Sequence, residues 1–385
     1  MAIGTYELWL DHWDGTRLAY LDSMLKLEYT RTLGNVGVIN LTMPSTFDTS
    51  LLQDDYKIEV HRALPGVPKR RENVYMIRAW RKWTDDAGVN KTMISGVDGN
   101  DILKRRIVYA NAGTPWARKT GYAGNILRQY VRDCMAVGVW STPTNNNGNW
   151  DERANIATYF TVQADANDGN NPVTENREWQ TLFDTANGVC SRSTGRGDAL
   201  HWYVYPVSGA EYQFRCYAPL MGQDLTGQFV VTVDNAMAEA VHEYDATEEF
   251  TMFVTIGGIY NSDTGFRFEY STTKNPRLGA TPFCYRERVS HEGTETGAEA
   301  PTDLHVFSDD EAGSDEFAQQ ETFTAKFMET EDRRYGRDWD LGDKIKFSYR
   351  GVQKDAVVTT VYASLGNTEE IYSQFKLTVQ QDTEY

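Results

Sequence analysis

Apolar residues recur at every second position through most of residues 1–97. In Tyr6-Glu7-Leu8-Trp9-Leu10, Leu25-Lys26-Leu27-Glu28-Tyr29-Thr30 and Val38-Ile39-Asn40-Leu41-Thr42-Met43, side chains of opposite character fall on opposite faces of a pleated strand. The pattern continues in Lys57-Ile58-Glu59-Val60-His61-Arg62, Val74-Tyr75-Met76-Ile77-Arg78 and Lys91-Thr92-Met93-Ile94-Ser95. Turn-forming residues separate these runs, as in Trp13-Asp14-Gly15-Thr16 and Asp85-Asp86-Ala87-Gly88. Residues 1–97 are expected to form a small antiparallel β-barrel or sandwich.

The period changes after Gly96-Val97-Asp98-Gly99. Between Gly121 and Val137 the residues Ile126, Leu127, Tyr130, Val131, Cys134 and Met135 draw one stripe along a helix, which Gly138 is expected to stop. An Asn-rich stretch, Thr142 to Asn149, reads as a loop. A second helical stripe, Trp179, Leu182, Phe183 and Ala186, is expected to end at Gly188. A hairpin follows, His201 to Tyr205 and Tyr212 to Tyr217, turned at Ser208-Gly209-Ala210. Residues 98–227 are therefore expected to be an α/β domain.

Alternation resumes at Gln228-Phe229-Val230-Val231-Thr232-Val233 and Glu249 to Ile256, and returns at Lys344 to Tyr349, Ala356 to Tyr362 and Gln374 to Val379. Residues 228–385 are expected to form a second β-barrel. A polar insertion at about 261–320 interrupts it, carrying Glu292, Glu295, Glu299, Asp303, Asp309, Asp310, Glu311, Asp315 and Glu316. The fold class is α+β and β-dominated: two β-barrel domains with an inserted α/β domain.

The formal net charge of −17 over 385 residues excludes a general affinity for nucleic acid, because phosphate binding needs a cationic surface that releases counterions. No run of about 18 apolar residues is present and Met1-Ala2-Ile3-Gly4-Thr5 lacks the order of a signal peptide, so no membrane-spanning segment is expected. Cys134, Cys190, Cys216 and Cys284 show no CxxC spacing, and buried free thiols are expected in the reducing cytoplasm of a host cell.

Candidate chemistry is sparse. Gly113-Thr114-Pro115-Trp116-Ala117-Arg118-Lys119-Thr120 nearly matches a P-loop, but Arg118 stands where a glycine must let the backbone wrap a phosphate. His12, His61, His201, His242, His291 and His305 are scattered, without HExxH, GxSxG or a Cys-His context. The pairs Asp338 with Asp340 and Asp309 with Asp310 could serve a glycosidase, yet lie in polar turns where solvated acids are the rule. Asp165-Ala166-Asn167-Asp168-Gly169 has its glycine one place early for a calcium loop. Lys69-Arg70-Arg71 and Lys104-Arg105-Arg106 are expected to make local salt-bridge networks or an inter-subunit contact. The aromatics of 201–217 could stack on sugars or simply pack the hairpin. Catalytic, cofactor-binding and metal-binding residues are assigned to none.

The order of certain segments is more informative. Leu27-Glu28-Tyr29-Thr30-Arg31, then Gly37, then Ile39 to Pro44, then Ile58-Glu59-Val60-His61-Arg62 resembles the opening barrel of tail-hub proteins of long-tailed phages, a group related to the N-terminal part of tail-associated lysins. Ser95 to Arg106 is similar to that family's passage from barrel to inserted domain. Tyr335-Gly336-Arg337-Asp338-Trp339-Asp340-Leu341-Gly342-Asp343-Lys344-Ile345 is similar to its entry into the last barrel strands.

The resemblance implies a structural, non-enzymatic hub in the virion's tail tip or baseplate: a homotrimeric ring joining the tail tube to the tip fibre or spike and helping to gate the DNA channel. Its partners would be copies of itself, the distal tail ring or tail-tube protein, the tape-measure protein and the fibre or spike protein, with DNA only in passage. The last residues, Gln381 to Tyr385, follow the final hairpin closely, and no appended lytic domain is expected. Three other readings stand beside this one: a receptor- or carbohydrate-binding tail protein, the hexameric distal tail ring protein, and a cell-wall glycan hydrolase.

Overall fold

A computed structural model describes residues 4–108, 118–135, 156, 158–171, 173–177, 180–195, 197–228, 230–245, 247, 249–261, 265–274, 283, 285–296, 320–331, 333–366 and 369–379. The alternating N-terminal segments are strands β1 (Thr5–Asp11), β2 (Arg17–Tyr20), β3 (Lys26–Thr32), β4 (Val38–Pro44), β5 (Lys57–Leu64), β6 (Val67–Thr84) and β7 (Asn90–Val97). A short helix α1 (Asp101–Lys104) leads to β8 (Arg118–Gly121), α2 (Ala123–Met135), β9 (Phe160–Val162), β10 (Val173–Asn176) and α3 (Leu182–Gly195). Then come β11 (His201–Pro206), β12 (Tyr212–Tyr217), β13 (Val230–Thr232), β14 (Met237–Asp245), β15 (Met252–Asn261), β16 (Gly265–Lys274), β17 (Glu287–Thr296) and β18 (Gln320–Met328). The chain closes with β19 (Lys344–Tyr349), β20 (Val352–Val357), β21 (Thr360–Leu365) and β22 (Glu369–Val379).

Two compact units result. One holds Met1–Cys190, Ala199–Ala240 and Ala325–Phe375; the other holds Ser191–Asp198, Val241–Thr324 and Lys376–Tyr385. The dominant element is an 11-stranded sheet in the order β14-β18-β22-β21-β3-β4-β7-β6-β5-β1-β2. Among the described strands this sheet does not close, so two separate closed barrels are not what the hydrogen bonding shows. Strands from both ends of the sequence share it instead: β21 runs antiparallel to β3, with Ala363 opposite Tyr29 and Leu365 opposite Leu27. Alternation defines which face of a strand is apolar, but it carries no information on which strand lies beside it.

Along β1, β3 and β4 every second side chain is buried, including Leu8, Leu10, Leu27, Tyr29, Ile39, Leu41 and Met43. Each such aliphatic side chain contributes roughly 1.5–3 kcal/mol on burial. Strand β6 departs from this rule, with Glu72 to Ile77 all buried. Its Val74 and Met76 belong to a second apolar cluster formed with the helical part of the unit. There the stripe Ile126, Leu127, Tyr130, Val131, Cys134 and Met135 of α2 packs with Leu182, Ala186 and Val189 of α3 and with Trp202, Val204, Tyr212 and Phe214 of the β11–β12 hairpin.

Helix α3 runs through Gly188 rather than ending there. An internal glycine costs a helix about 1 kcal/mol, less than the burial of Val189 and Cys190 beyond it returns. The span expected to be a polar insertion contains β16 and β17, which flank β15 in a three-stranded sheet. The sequence signal for β16 is the alternation Phe266, Phe268, Tyr270 against Arg267 and Glu269, obscured by the charge around it. The carboxylates Glu299 to Glu316 lie outside the described residues, as do Cys284, Asn-rich 142–149 and Trp179.

The passage out of β7 is pinned by two buried polar residues. Asn100 donates from Nδ2 to the carbonyls of Thr32 and Asn35 at 3.0 and 2.6 Å, and its Oδ1 accepts the Val204 amide at 2.8 Å. It thereby ties the β3–β4 turn to β11. Asp98 donates its backbone N–H to Gly37 and accepts the Asn100 amide through Oδ1. A Cβ at position 37 would stand 2.5 Å from Asp98 Oδ2 and 2.5 Å from the Thr30 carbonyl, which reserves that position for glycine.

Burial pushes the Asp98 carboxyl up to about 8 despite the amides of Gly37 and Asn100. The folded state thus holds a proton that the unfolded chain releases near pH 4. The contribution of Asp98 to stability should fall as pH rises between about 4 and 8, by up to about 1.4 kcal/mol per pH unit. Asp98→Asn should remove that slope, read as a smaller pH dependence of the urea midpoint than in the wild type; an unchanged slope would contradict the burial argument.

Candidate functional site

Three segments that carry the phage-hub resemblance meet in space. Arg31 comes from β3, Arg62 from β5, and Tyr335 and Asp340 from the loop before β19; Arg70 and Glu72 of β6 complete the group. Because Arg31 and Arg62 fall on the inward face of strands whose other inward residues are apolar, their guanidinium groups must find acceptors inside the fold. The loop provides them.

Arg31 Nη1 donates to Tyr335 Oη at 2.5 Å and to Asp340 Oδ1 at 3.1 Å. Tyr335 Oη donates in turn to Glu72 Oε2 at 2.6 Å. Arg70 spans the same partners, donating to Glu72 Oε1 at 2.6 Å and to Asp340 Oδ2 at 2.5 Å. Arg62 donates from Nε to Glu369 at 2.9 Å, from Nη1 to the Tyr335 carbonyl at 2.8 Å and from Nη2 to Glu329 at 3.2 Å. Tyr6 Oη and the Gly4 amide also donate to Glu369, at 2.8 and 2.6 Å. The Tyr335 ring lies between two cations, 4.8 Å from the Arg70 guanidinium and 5.5 Å from that of Arg62.

The loop is braced by contacts of its own. Gly336 donates to the Trp339 carbonyl at 2.7 Å, and Asp338 Oδ2 accepts the Arg334 amide at 2.7 Å. Gly336 has φ +80°, and a Cβ there would stand 2.7 Å from Arg70 Cζ. Trp339 is buried against Phe327 and Tyr335, with ring centroids at 4.6 and 5.2 Å. Asp343 accepts the Asp340 amide at 2.6 Å and the Gln223 amide at 2.7 Å, fixing the loop's far end.

The electrostatics follow from burial and pairing. Burial alone would raise the Asp340 carboxyl, but Arg31 and Arg70 outweigh it and hold the group below the usual carboxylate range. For Glu329 burial prevails over Arg62 and the carboxyl is raised. Burial also raises the Tyr335 hydroxyl well above its ordinary value, keeping it neutral and able to donate to Glu72. Three guanidinium groups facing four carboxylates, one of them shifted toward its neutral form, make a nearly balanced buried charge cluster. Such an arrangement has no spare nucleophile or base; what it can do is lock strands together.

A second ionic group sits on β5 and β6. Glu59 accepts from Arg17 at 2.8 Å, bonds closely with Arg71, and has His61 Nε2 at 3.2 Å. Burial works to raise Glu59, yet His61 and Arg71 bring it down to about 2. Lys69-Arg70-Arg71 is thus a salt-bridge network, as its sequence suggested, with Lys69 on Glu7 at 2.7 Å. In the other basic run Arg105 pairs with Asp101 at 2.5 Å and Lys104 sits 4.5 Å from the Phe183 ring centroid.

The remaining sequence candidates are dispersed. Asp338 and Asp340 are partly exposed turn acids that already have partners: Asp338 is held by Arg337 and the Arg334 amide, and Asp340 by two arginines. Asp165 and Asp168 are taken up by Arg132 and Arg128. Trp202, Tyr203, Tyr212 and Phe214 are buried and pack the core, while Tyr205 and Tyr217 are half-buried, with the Arg215 guanidinium 4.2 Å from the Tyr205 ring centroid. Cys134, Cys190 and Cys216 are buried free thiols. Residues 113–117 of the P-loop-like run, Asp309 and Asp310 lie outside the described residues. Glu72, Glu329, Glu369 and Tyr6 were not singled out by sequence; Glu72 follows Lys69-Arg70-Arg71 in a charged stretch of β6, where nothing marks it as buried.

The sequence matches the family described as Siphovirus ReqiPepy6 Gp37-like protein over residues 5–370. The chain belongs to that family. Its fold is that of phage tail proteins. A prophage MuSo2 43 kDa tail protein from Shewanella oneidensis superposes with a TM-score of 0.54 at 10% identity, over 98% of this chain and 98% of that one. A tail protein from Neisseria meningitidis MC58 superposes with a TM-score of 0.53 at 11% identity, over 97% and 96%. No protein of curated function matches the sequence. At such identities the likeness lies in the fold: the chain is a member of a siphovirus protein family and has the fold of phage tail proteins.

Removing one member of the buried cluster leaves the others uncompensated. Arg31→Ala should destabilise the protein by about 3–5 kcal/mol, since Glu72 and Asp340 lose a buried cation. Tyr335→Phe keeps the ring but deletes the hydroxyl, at about 1–3 kcal/mol. Urea unfolding of both variants checks this; values within 0.5 kcal/mol of the wild type, at about the noise of surface substitutions, would show that the cluster contributes no stability.

Proposed function

We propose that this chain is the structural hub of a phage tail tip or baseplate, acting as a homotrimeric ring that joins the tail tube to the tip fibre or spike and helps gate the DNA channel. The observation that carries the reading is the coincidence of a siphovirus family match across residues 5–370 with a fold shared over nearly the whole length of two phage tail proteins. In this reading the chain is assembled in the host cytoplasm into the virion's tail tip. It contacts the distal tail ring or tail-tube protein, the tape-measure protein and the fibre or spike protein, and its domains are residues 1–97, 98–227 and 228–385. DNA meets it only in passage, past walls that a net charge of −17 keeps from binding phosphate.

The rival readings have less to support them: four of the hairpin aromatics that could stack on sugars are buried, and Asp338 and Asp340, one of the two carboxylate pairs considered for glycan hydrolysis, are engaged by arginines. A closed ring suits a sheet whose edge strands among the described residues are β14 and β2, because edges that meet copies of the same chain are removed from solvent.

Light scattering on the purified protein at assembly concentrations tests the stoichiometry. A mass three times the 43.7 kDa of one chain is expected. A stable monomer would contradict the hub reading, and a hexamer would favour the distal ring.

A further inference from the structure

Strand β6 is far longer than the strand that flanks it. Its pairing with β5 ends at Met76 opposite Lys57, whereas its pairing with β7 continues to Thr84 opposite Asn90. Beyond the Ile77 amide, which donates to the Tyr56 carbonyl, β6 has no second neighbour among the described residues. The segment from Ala79 to Thr84 is therefore an arm with one open backbone edge. A long, flat, exposed edge invites another strand unless it is blunted.

The arm differs from its surroundings in chemistry as well as in pairing. Residues 78–91 carry Arg78, Arg81, Lys82 and Lys91 against Asp85 and Asp86, a cationic excess in a chain of net charge −17. Arg78 is occupied by Asp54 and Asp55, and Lys91 by Asp85. Arg81 and Lys82 form no ion pair among the described residues, and both are exposed. Trp80 is 47% exposed, and the Arg81 guanidinium lies 5.3 Å from the Trp83 ring centroid. An exposed tryptophan beside unpaired cations on an open edge is the composition of an interaction surface, since Trp and Arg dominate the energetics of interfaces.

The complementary surface is on the same chain. Strand β14 ends the 11-stranded sheet, so its outer backbone edge is open among the described strands. Beyond Glu239, whose carboxylate Lys326 engages at 2.6 Å, it presents the exposed acids Glu243 and Asp245 beside Val241 and Tyr244, which are 53% and 54% exposed. We infer that the β6 arm of one copy adds to β14 of the next, with Arg81 and Lys82 facing its acids and Trp80 covering its exposed apolar side chains. The two edges are different surfaces, so the contact is head-to-tail and generates a ring when its rotation closes. Main-chain hydrogen bonds supply affinity and the charge pairs set which edge is accepted. This inference rests on the trimeric reading and names the contact that would make the ring.

Charge reversal and swap separate the two claims. The exposed changes Arg81→Glu and Lys82→Glu (R81E/K82E) should leave the circular dichroism and urea midpoint unchanged while weakening self-association at least about tenfold in sedimentation equilibrium. Adding E243K/D245K to the same chain should restore it. A trimer of wild-type affinity in R81E/K82E, or a swapped variant that stays dissociated, overturns this contact and leaves the trimeric hub standing. A wild type that is itself monomeric overturns the hub reading and this inference with it. A photo-cross-linker placed at Trp80 should capture β14 of a second copy; capture of DNA or of another tail protein in virions would overturn the assignment of the partner.

Discussion

The unit formed by the two ends of the chain depends on a buried charge cluster. Arg31 and Tyr335 are 304 positions apart, and Arg62 and Glu369 are 307 apart. Bringing such distant segments together costs loop-closure entropy that grows slowly with length, so a few well-made contacts are enough to offset it. Apolar packing alone would not choose between possible strand neighbours, because one alternating strand resembles another. Guanidinium groups buried on inward faces choose sharply: any arrangement that fails to deliver Glu72, Asp340, Glu329 and Glu369 leaves cations unpaired in a low-dielectric interior. The cluster is thus best understood as specifying register and partnership, with Tyr335 as the shared hinge of its hydrogen bonds.

A second consequence concerns what the molecule does. Arginines, acids and a tyrosine gathered at one buried place would ordinarily suggest chemistry, but here the charges are close to balanced and each acceptor faces a donor. Two carboxyl groups outside the cluster whose ionisation is strongly shifted, Asp98 at the exit of β7 and Glu59 on β5, are engaged in holding turns and strands.

Much of this was legible in the sequence, for definite reasons. Alternation marked β1, β3, β4 and β7 because each buries mainly one face, and the stripe of α2 was visible because its apolar residues keep a helical period. The segments ending in Arg31 and Arg62 and the run from Tyr335 to Asp343 stood out by their order, yet nothing in the sequence said that they touch. Pairing between β3 and β21 was illegible, since alternation is silent about neighbours across more than 300 residues. The partners of Asp340 were illegible, because a polar, glycine-flanked run looks merely solvated and only the fold brings Arg31 and Arg70 to it. Strand β16 was hidden by charge, and Gly188 looked like a helix end although buried residues continue beyond it.

The central claim is that this architecture serves as the ring at the end of a phage tail tube. Reconstruction of the intact virion by electron microscopy, without imposed symmetry, tests it most directly. The account predicts three copies of this chain on the tail axis at the tube's distal end, enclosing the channel; six copies, or density at the periphery of the tip, would contradict it.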